Sequence, residues 1–248
     1  MKLATLVHGT GAPFTFLHGF TQTKESWLPV LESLNLPIEA TLIDCPGHGE
    51  SPTQGRTLPE TANDVAESTR SGILVGYSMG ARIALHMALQ FPDLVQGLVL
   101  ISGTPGLRSE SERNDRRASD EALATHIENI GMEKFIPEWL SNPMFQGLPI
   151  DLADIPRRCS NTERGLADSL RFAGTGTQES LWDSLESLAI PVLVVTGDKD
   201  EKFTQIAREM IPMISQAEHH VMNHVGHTCH LEDVRQFCDV LENWFLRL

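Results

Sequence analysis

Short apolar runs alternate along the chain with longer segments in which apolar residues recur at helical spacing. The apolar runs, each short enough for a buried strand, are residues 3–7, 14–17, 40–43, 73–75 and 97–102. The helix-like segments between them are residues 27–34, 57–70 and 81–89. Strands that alternate with helices form a mostly parallel sheet with helices on both faces. Only a turn containing glycine and proline, at residues 8–13, separates the first two runs, so we expect an N-terminal β-hairpin.

The pattern changes after residue 102. Residues 103–181 contain no strand-like run, and their helical segments are interrupted by Pro143 and Pro149. Strand-like runs return at residues 190–197 and 219–222, and an amphipathic helix over residues 231–248 closes the chain. The segment without strands is too poor in apolar residues to form its own domain. The sequence therefore predicts one α/β domain spanning residues 1–248, with a helical cap inserted at about 103–181.

Composition narrows the choice of partners. The chain has 33 acidic and 19 basic residues, a formal net charge of −14, which argues against nucleic acid and anionic membranes. Its four cysteines form no close pair, nothing resembles a secretory signal, and no apolar run approaches the roughly 20 residues that span a bilayer. We expect a cytoplasmic protein with reduced thiols, a monomer or weak homo-oligomer that acts on a small molecule.

Candidate chemistry begins at Gly76-Tyr77-Ser78-Met79-Gly80, which lies between a strand-like run and a helix-like segment. This is the G-x-S-x-G pattern of a nucleophile elbow, in which a sharp strand-to-helix turn projects a serine hydroxyl into open space. Glycines are needed there because strand and helix leave no room for Cβ atoms. The alternative is that Ser78 only caps the helix that follows.

A serine hydroxyl is a poor nucleophile or base unless an imidazole accepts its proton and a carboxylate stabilises the imidazolium. Asp198 and Asp200 both follow a predicted strand. We favour Asp200, because it stands beyond the turn at Gly197, where a loop can bend toward a histidine. Asp198 is then expected to cap that turn.

The predicted base is His227. The glycine before it permits a tight turn that presents the ring, and the order serine, acid, histidine is the one expected for this fold. The rival histidines are His219, His220, His224 and His230. The spacing of His224, His227, Cys229 and His230 could instead indicate a metal site, but a strand-to-helix loop does not bring these side chains to one face. We expect neither a metal ion nor another cofactor.

An oxyanion hole needs backbone amides directed at the charge that develops in the transition state. The Met79 amide, at the start of the helix after the elbow, is one predicted donor. The Phe20 amide, after His18-Gly19 at the end of another strand, is the second.

Motifs spread over almost the whole chain resemble those of the α/β-hydrolase superfamily. They are Phe16-Leu17-His18-Gly19-Phe20, Asp44-Cys45-Pro46-Gly47-His48-Gly49, Gly76-Tyr77-Ser78-Met79-Gly80, Gly197-Asp198-Lys199-Asp200 and Gly226-His227. Within the superfamily, Arg82 and motifs of the insertion are most similar to the 2-succinyl-6-hydroxy-2,4-cyclohexadiene-1-carboxylate synthases of menaquinone biosynthesis. That resemblance implies a lyase that eliminates pyruvate from 2-succinyl-5-enolpyruvyl-6-hydroxy-3-cyclohexene-1-carboxylate.

The same resemblance implies the substrate-binding residues, which carry over to Arg82, Arg116, Arg158, Trp139 and Tyr77. Such a substrate bears three carboxylates, so an acidic protein needs a local group of guanidinium side chains to bind it. Arginines are frequent in the insertion, but they could also pair with neighbouring acidic residues on solvated helices. We favour that second interpretation for Arg113, Arg117 and Arg164.

Two other functions are compatible with the elbow. A serine hydrolase of the same fold would use Ser78 as a covalent nucleophile on an ester, a thioester or a carbon–carbon bond. A non-enzymatic member of the fold would bind a small molecule without turnover, which the complete set of Ser78, Asp200 and His227 disfavours.

Overall fold

The structure, a computed structural model, describes residues 1–248. Its seven strands are β1 (Thr5–Gly9), β2 (Ala12–Leu17), β3 (Ile38–Ile43), β4 (Gly72–Tyr77), β5 (Val95–Ile101), β6 (Val192–Gly197) and β7 (Ala217–Met222). The α-helices are α1 (Leu28–Ser33), α2 (Leu58–Ser68), α3 (Met79–Gln90), α4 (Glu110–Ile130), α5 (Met132–Leu140), α6 (Ile155–Cys159), α7 (Glu163–Ala173), α8 (Glu201–Met210), α9 (Cys229–Glu232) and α10 (Val234–Phe245). Short 3₁₀ helices occupy Lys24–Trp27, Pro143–Phe145, Trp182–Ser187 and Ile211–Met213.

The strands form one sheet in the order β1-β3-β2-β4-β5-β6-β7, and every neighbouring pair is parallel except β1 with β3. The predicted mostly parallel sheet is thus confirmed, but the predicted N-terminal hairpin is wrong, because β3 lies between β1 and β2. Strand β2 is buried along most of its length and suits a central position, whereas every residue of β1 is exposed and suits an edge. The turn signals at residues 8–13 mark a local change of direction and carry no information about which strand pairs with β1.

Helices cover both faces of the sheet, as predicted, and alternate strand residues face opposite cores. In β4, Ile73 and Val75 pack into the core beneath α1 and α10, whereas Leu74 packs into the core beneath α2, α3 and α8. A capping box begins α2, since Thr57 and Glu60 exchange hydrogen bonds at its start. None of the helices combines the length and the apolar content needed to cross a membrane.

The helices α4, α5, α6 and α7 all lie between β5 and β6 along the chain. Helix α4 begins at Glu110, where Ser109 and Glu112 form a second capping box. A small hydrophobic cluster of their own, which includes Ile127, Phe135 and Leu166, joins these helices. They lie over the edge of the sheet at which the parallel strands end, and this is where the predicted site residues meet.

Candidate active site

Ser78 occupies the turn between β4 and α3 with backbone angles φ 52° and ψ −104°. A non-glycine residue in this left-handed region is strained. The flanking glycines are sterically required, because a Cβ atom on Gly76 would lie 2.4 Å from the Gly80 carbonyl oxygen and one on Gly80 would lie 2.2 Å from the Leu17 carbonyl oxygen. Ser78 stands at the N-cap position of α3, but its side chain makes no capping hydrogen bond. Its hydroxyl therefore does not serve as a helix cap and is available to another side chain.

The hydroxyl of Ser78 meets the imidazole of His227, with 3.1 Å between Oγ and Nε2. The other ring nitrogen, Nδ1, lies 2.7 Å from Oδ2 of Asp200. His227 is buried, with 3% of its surface exposed, and the Ser102 hydroxyl donates to its carbonyl oxygen. Three residues far apart in sequence therefore form one continuous hydroxyl–imidazole–carboxylate chain.

The structure separates the two candidate acids. Asp200 caps α8 by accepting from the Phe203 amide with Oδ1, while its Oδ2 faces His227. Asp198 instead accepts a hydrogen bond from the Val225 amide and fastens the loop between β7 and α9. Asp200 faces His227, as the sequence suggested, but Asp198 does not cap the turn at Gly197: its carboxylate accepts from the Val225 amide of a different loop.

The other histidines of this region lie away from the serine. His219 bonds to the Thr196 hydroxyl, His220 and His224 are exposed, and His230 is buried against the rings of Trp27 and Tyr77. No group of three or more histidine, cysteine or acidic side chains is arranged to hold a metal ion.

The amides of Phe20 and Met79 donate to no other group of the protein, and both residues line the cavity above Ser78. The Phe20 loop is firmly held. The Gly19 amide donates to Gln22 Oε1 at 2.9 Å, and a Cβ atom on Gly19 would lie 2.5 Å from the Tyr77 ring. Thr21, at φ 69°, accepts from Arg158 and Asn161 of the cap. Cap and loop are thereby joined next to the free Phe20 amide.

His18 fixes the base of the same loop. The Cys45 amide donates to its Nε2 at 3.0 Å, so Nδ1 must carry the proton and donates to the Gly19 carbonyl at 2.8 Å. Complete burial lowers the pKa of His18, which keeps this ring neutral. The residue is therefore a structural support for the loop and does not line the cavity above Ser78.

A cavity of about 230 Å³ opens above Ser78, between the sheet and the cap. Its lining includes the five residues predicted to bind substrate: Tyr77, Arg82, Arg116, Trp139 and Arg158. Lys202 adds a fourth permanent cation, and no aspartate or glutamate lines the cavity. In a chain of net charge −14, this local excess of positive charge favours an anionic ligand with several charges.

Arg82 and Arg158 are buried, and neither forms a salt bridge. Arg82 donates to the Ala173 carbonyl at 2.8 Å, and Arg158 donates to the Ala153 carbonyl at 2.6 Å. Burial lowers the pKa of each guanidinium to about 10. A buried cation without a carboxylate partner is costly, so these two arginines are poised for an anion that the folded chain does not itself supply.

The remaining arginines behave differently. Arg116 pairs with Asp120 at 2.7 Å, yet its side chain is 40% exposed and still reaches the cavity. Arg113 and Arg117 both pair with Glu110, and Arg164 lies near Asp168 on the surface of α7. The surface-pairing prediction for these last three is confirmed.

Sequence reasoning assigned no role to several polar residues that line the cavity, among them Gln22 and Lys202. Lys202 lies in Asp200-Glu201-Lys202-Phe203, a further stretch that resembles the synthase family, and this position was the available signal. Gln22 had no such signal, because its contact with the Gly19 amide depends on how the loop after β2 folds back.

Buried histidines predict a loss of stability in acid. Burial lowers the pKa of His48 and of His230 to about 3, from an ordinary value of 6.5. Below pH 6.5 the unfolded chain binds protons at these positions and the folded chain does not, so their contribution is complete above pH 6.5 and is lost as pH falls toward 3. Between pH 7 and pH 5 we expect each to cost about 2 kcal/mol of the free energy of unfolding.

Urea unfolding of the His230→Phe variant tests this expectation. Neither nitrogen of His230 has a hydrogen-bond partner and the surroundings are aromatic, so phenylalanine should pack well there. Between pH 7 and pH 5, the free energy of unfolding of the variant should fall by about 2 kcal/mol less than that of the parent. The exposed His220→Phe control should behave as the parent. Equal losses in all three proteins would contradict the prediction.

Fold and site together define a class: an α/β sheet whose nucleophile elbow, histidine loop and acid loop converge beneath a helical cap. A family model described as "Alpha/beta hydrolase family" matches residues 16–240. The chain therefore belongs to the alpha/beta hydrolase family, as the sequence motifs predicted.

Individual proteins within the family show more specific similarities to this chain. A putative 2-succinyl-6-hydroxy-2,4-cyclohexadiene-1-carboxylate synthase of Bacillus subtilis (strain 168) is 38% identical over 242 residues, which cover 92% of this chain and 88% of the relative. The synthase of the same name from Salmonella enteritidis PT4 is 33% identical over 242 residues, 93% of each chain. Among solved structures, MenH from S. aureus matches with a TM-score of 0.90 at 28% identity and covers 98% of each chain.

Proposed function

We propose that this chain is the lyase that eliminates pyruvate from 2-succinyl-5-enolpyruvyl-6-hydroxy-3-cyclohexene-1-carboxylate, giving 2-succinyl-6-hydroxy-2,4-cyclohexadiene-1-carboxylate, a step of menaquinone biosynthesis. The observation that carries the proposal is the union of two features in one cavity. The Ser78–His227–Asp200 chain opens into a space lined by four permanent cations and no acidic side chain. The names of the relatives agree with this assignment.

The charge arrangement fits the substrate. Its three carboxylates match the guanidinium groups of Arg82, Arg116 and Arg158, whose planar donors can bind a carboxylate in a bidentate manner. Binding removes the cost of the two buried arginines that have no acidic partner. Tyr77 and Trp139 supply apolar surface for the ring.

Ser78 acts as a general base in the first step. Its hydroxyl takes the proton from the ring carbon beside the succinyl ketone, while its own proton passes to Nε2 of His227 at 3.1 Å. Asp200, 2.7 Å from Nδ1, stabilises the imidazolium that forms. No covalent bond joins Ser78 to the substrate.

The ketone oxygen becomes negative in the same step. The free amides of Phe20 and Met79 stabilise it, because they are fixed before the reaction and have no other acceptor. Electrons then move through the ring double bond to the ring carbon that bears the enolpyruvyl group, and the bond from that carbon to the enolpyruvyl oxygen breaks. The enolpyruvate that leaves takes up a proton at its methylene carbon and becomes pyruvate, so one proton is removed and one is returned.

The second candidate is a serine hydrolase of the same fold. The contact between Ser78 Oγ and His227 Nε2 equally suits a covalent nucleophile, and an oxyanion hole serves both reactions. The elbow alone does not choose between them. The four cations favour the lyase, since a polyanionic substrate is required by the lyase reaction and is incidental to ester hydrolysis.

Pyruvate release tests the proposal. Purified protein is mixed with the enolpyruvyl substrate and pyruvate is followed with lactate dehydrogenase and NADH, in parallel with p-nitrophenyl ester turnover and fluorophosphonate labelling. We expect fast pyruvate release with negligible esterase turnover. Rapid ester or thioester turnover without pyruvate release would establish the hydrolase instead.

Three further assignments belong to the same proposal. The protein works in the cytoplasm as a monomer or weak homo-oligomer, with its four cysteines unpaired. Residues 1–248 form one catalytic domain, and residues 103–181 are its cap. Its partner is a small polycarboxylate, and the steps above use only side chains and backbone amides.

A further inference from the structure

The loop that carries His227 is held from both sides by one carboxylate. Oε2 of Glu232 accepts from the Gly226 amide at 2.7 Å, immediately before the histidine. Oε1 accepts from the Thr228 amide at 3.1 Å and from the Thr228 hydroxyl at 2.9 Å, immediately after it. Glu232 is the last residue of α9, so these hydrogen bonds attach the loop that carries the imidazole to a helix of the main domain.

Every group directed at Glu232 in this cluster is a hydrogen-bond donor. A carboxylate has only acceptor atoms and satisfies all three donors at once. A glutamine of nearly the same shape would satisfy one side with its carbonyl oxygen and would turn its own NH₂ group toward a donor on the other. The requirement is therefore for the acceptor chemistry of a carboxylate as well as its shape.

The cap contacts the same carboxylate. The backbone at Gly147 approaches so closely that a Cβ atom there would lie 1.9 Å from Oε2 of Glu232. A Cβ atom on Gly226 would lie 3.2 Å from Oε1 of Glu232 and 3.7 Å from the carbonyl oxygen of Met144, which also lines the cavity. The segment 144–147 and the His227 loop thus share Glu232 as a common support.

We propose that Glu232 is a positioning residue for the reaction: it fixes the ring of His227 against Ser78 and is itself held in place by the cap at Gly147. This inference rests on the proposed function only in assigning the proton transfer to His227. A displacement of about 1 Å in a reacting group can lower the rate by about 100-fold, whereas substrate binding through the arginines is separate from this support.

The Glu232→Gln variant tests the role of the carboxylate. We expect kcat for pyruvate release to fall by roughly 10-fold or more, with KM within about twofold of the parent value. The matched control is Glu242→Gln, because Glu242 also accepts a backbone hydrogen bond, from Asn35 at 2.7 Å, but lies on α10 away from the cavity. It should keep the parent kcat even if its melting temperature falls.

The Gly147→Ala variant tests the link to the cap without changing any charge. Gly147 has no positive φ, and the atom that a new methyl group would meet is the end of a flexible side chain, so the fold should tolerate alanine. The methyl group displaces the carboxylate of Glu232 from its donors. We therefore expect kcat to fall while KM stays within about twofold of the parent value.

A proton NMR signal separates this inference from the proposed function. The Nδ1 proton between His227 and Asp200 should give a strongly downfield resonance, and faster exchange with solvent should broaden it in E232Q and G147A but not in E242Q. A parent protein that releases no pyruvate yet shows this pattern overturns only the proposed function. Parent-like kcat and a sharp signal in both E232Q and G147A overturn the role of Glu232. Equal losses of kcat and melting temperature in E232Q and E242Q overturn it as well, since they would indicate a general loss of stability.

Discussion

Replacing Ser78 by alanine is expected to lower kcat for pyruvate release by roughly 10²- to 10⁴-fold and to leave KM nearly unchanged. In the proposed mechanism the hydroxyl takes the proton from the reacting carbon, and it lies 3.1 Å from Nε2 of His227. The proposal assigns substrate binding to the cations of the cavity, which the substitution does not touch. The measurement is steady-state release of pyruvate, with Ser68→Ala as a control because that serine lies on α2, remote from the cavity.

Glycine at the same position adds a readout of stability. Ser78 has a backbone φ of 52°, which strains any residue with a Cβ atom, and glycine removes that strain. Ser78→Gly should therefore be as inactive as Ser78→Ala but more resistant to urea, by about 1 kcal/mol in the free energy of unfolding. The comparison would show that strain is retained here for function. Substantial pyruvate release by either variant would contradict the role given to the hydroxyl.

Local patterns predicted much of this site. The elbow was predictable because strand, glycines and helix are adjacent in sequence, and their steric reason is local: a Cβ atom on Gly76 meets Gly80. The choice of Asp200 over Asp198 also followed from a local feature, the turn at Gly197. Each of these inferences needed only a few consecutive residues.

Features that depend on distant segments were less predictable. The pairing of β1 with β3 was missed because strand order is decided by which strand is buried on both faces, and the turn after β1 does not encode that order. The contact of Glu232 with the residues on either side of His227 was also missed, since a glutamate on a short helix is common on solvated surfaces.

The roles of the arginines were only partly predictable from the sequence. Composition showed that the insertion is rich in arginine, but only the family resemblance distinguished Arg158 from Arg164, six residues later. The structure supplies the physical difference: Arg158 is buried without a carboxylate partner, whereas Arg164 is 80% exposed beside Asp168. A sequence gives no direct measure of the burial of one side chain on a short helix.

Replacing Arg158 by methionine is expected to lower kcat/KM by roughly 10- to 100-fold, because a charge-assisted hydrogen bond to a substrate carboxylate contributes about 1.5–3 kcal/mol. Methionine retains much of the buried volume of the arginine stem. The free energy of unfolding should change by no more than about 1 kcal/mol: the lost hydrogen bonds to Thr21 and Ala153 destabilise the fold, and removal of a buried unpaired cation offsets this loss.

Arg164→Met is the matched control for this substitution. Both variants remove one positive charge from a chain of net charge −14, so the overall charge changes equally in the two. A loss confined to Arg158→Met therefore reports contact with the substrate, whereas equal losses would attribute the effect to the overall field. Parent-like kcat/KM in Arg158→Met would remove that guanidinium from the binding site and leave the two remaining arginines and Lys202 to hold the three carboxylates.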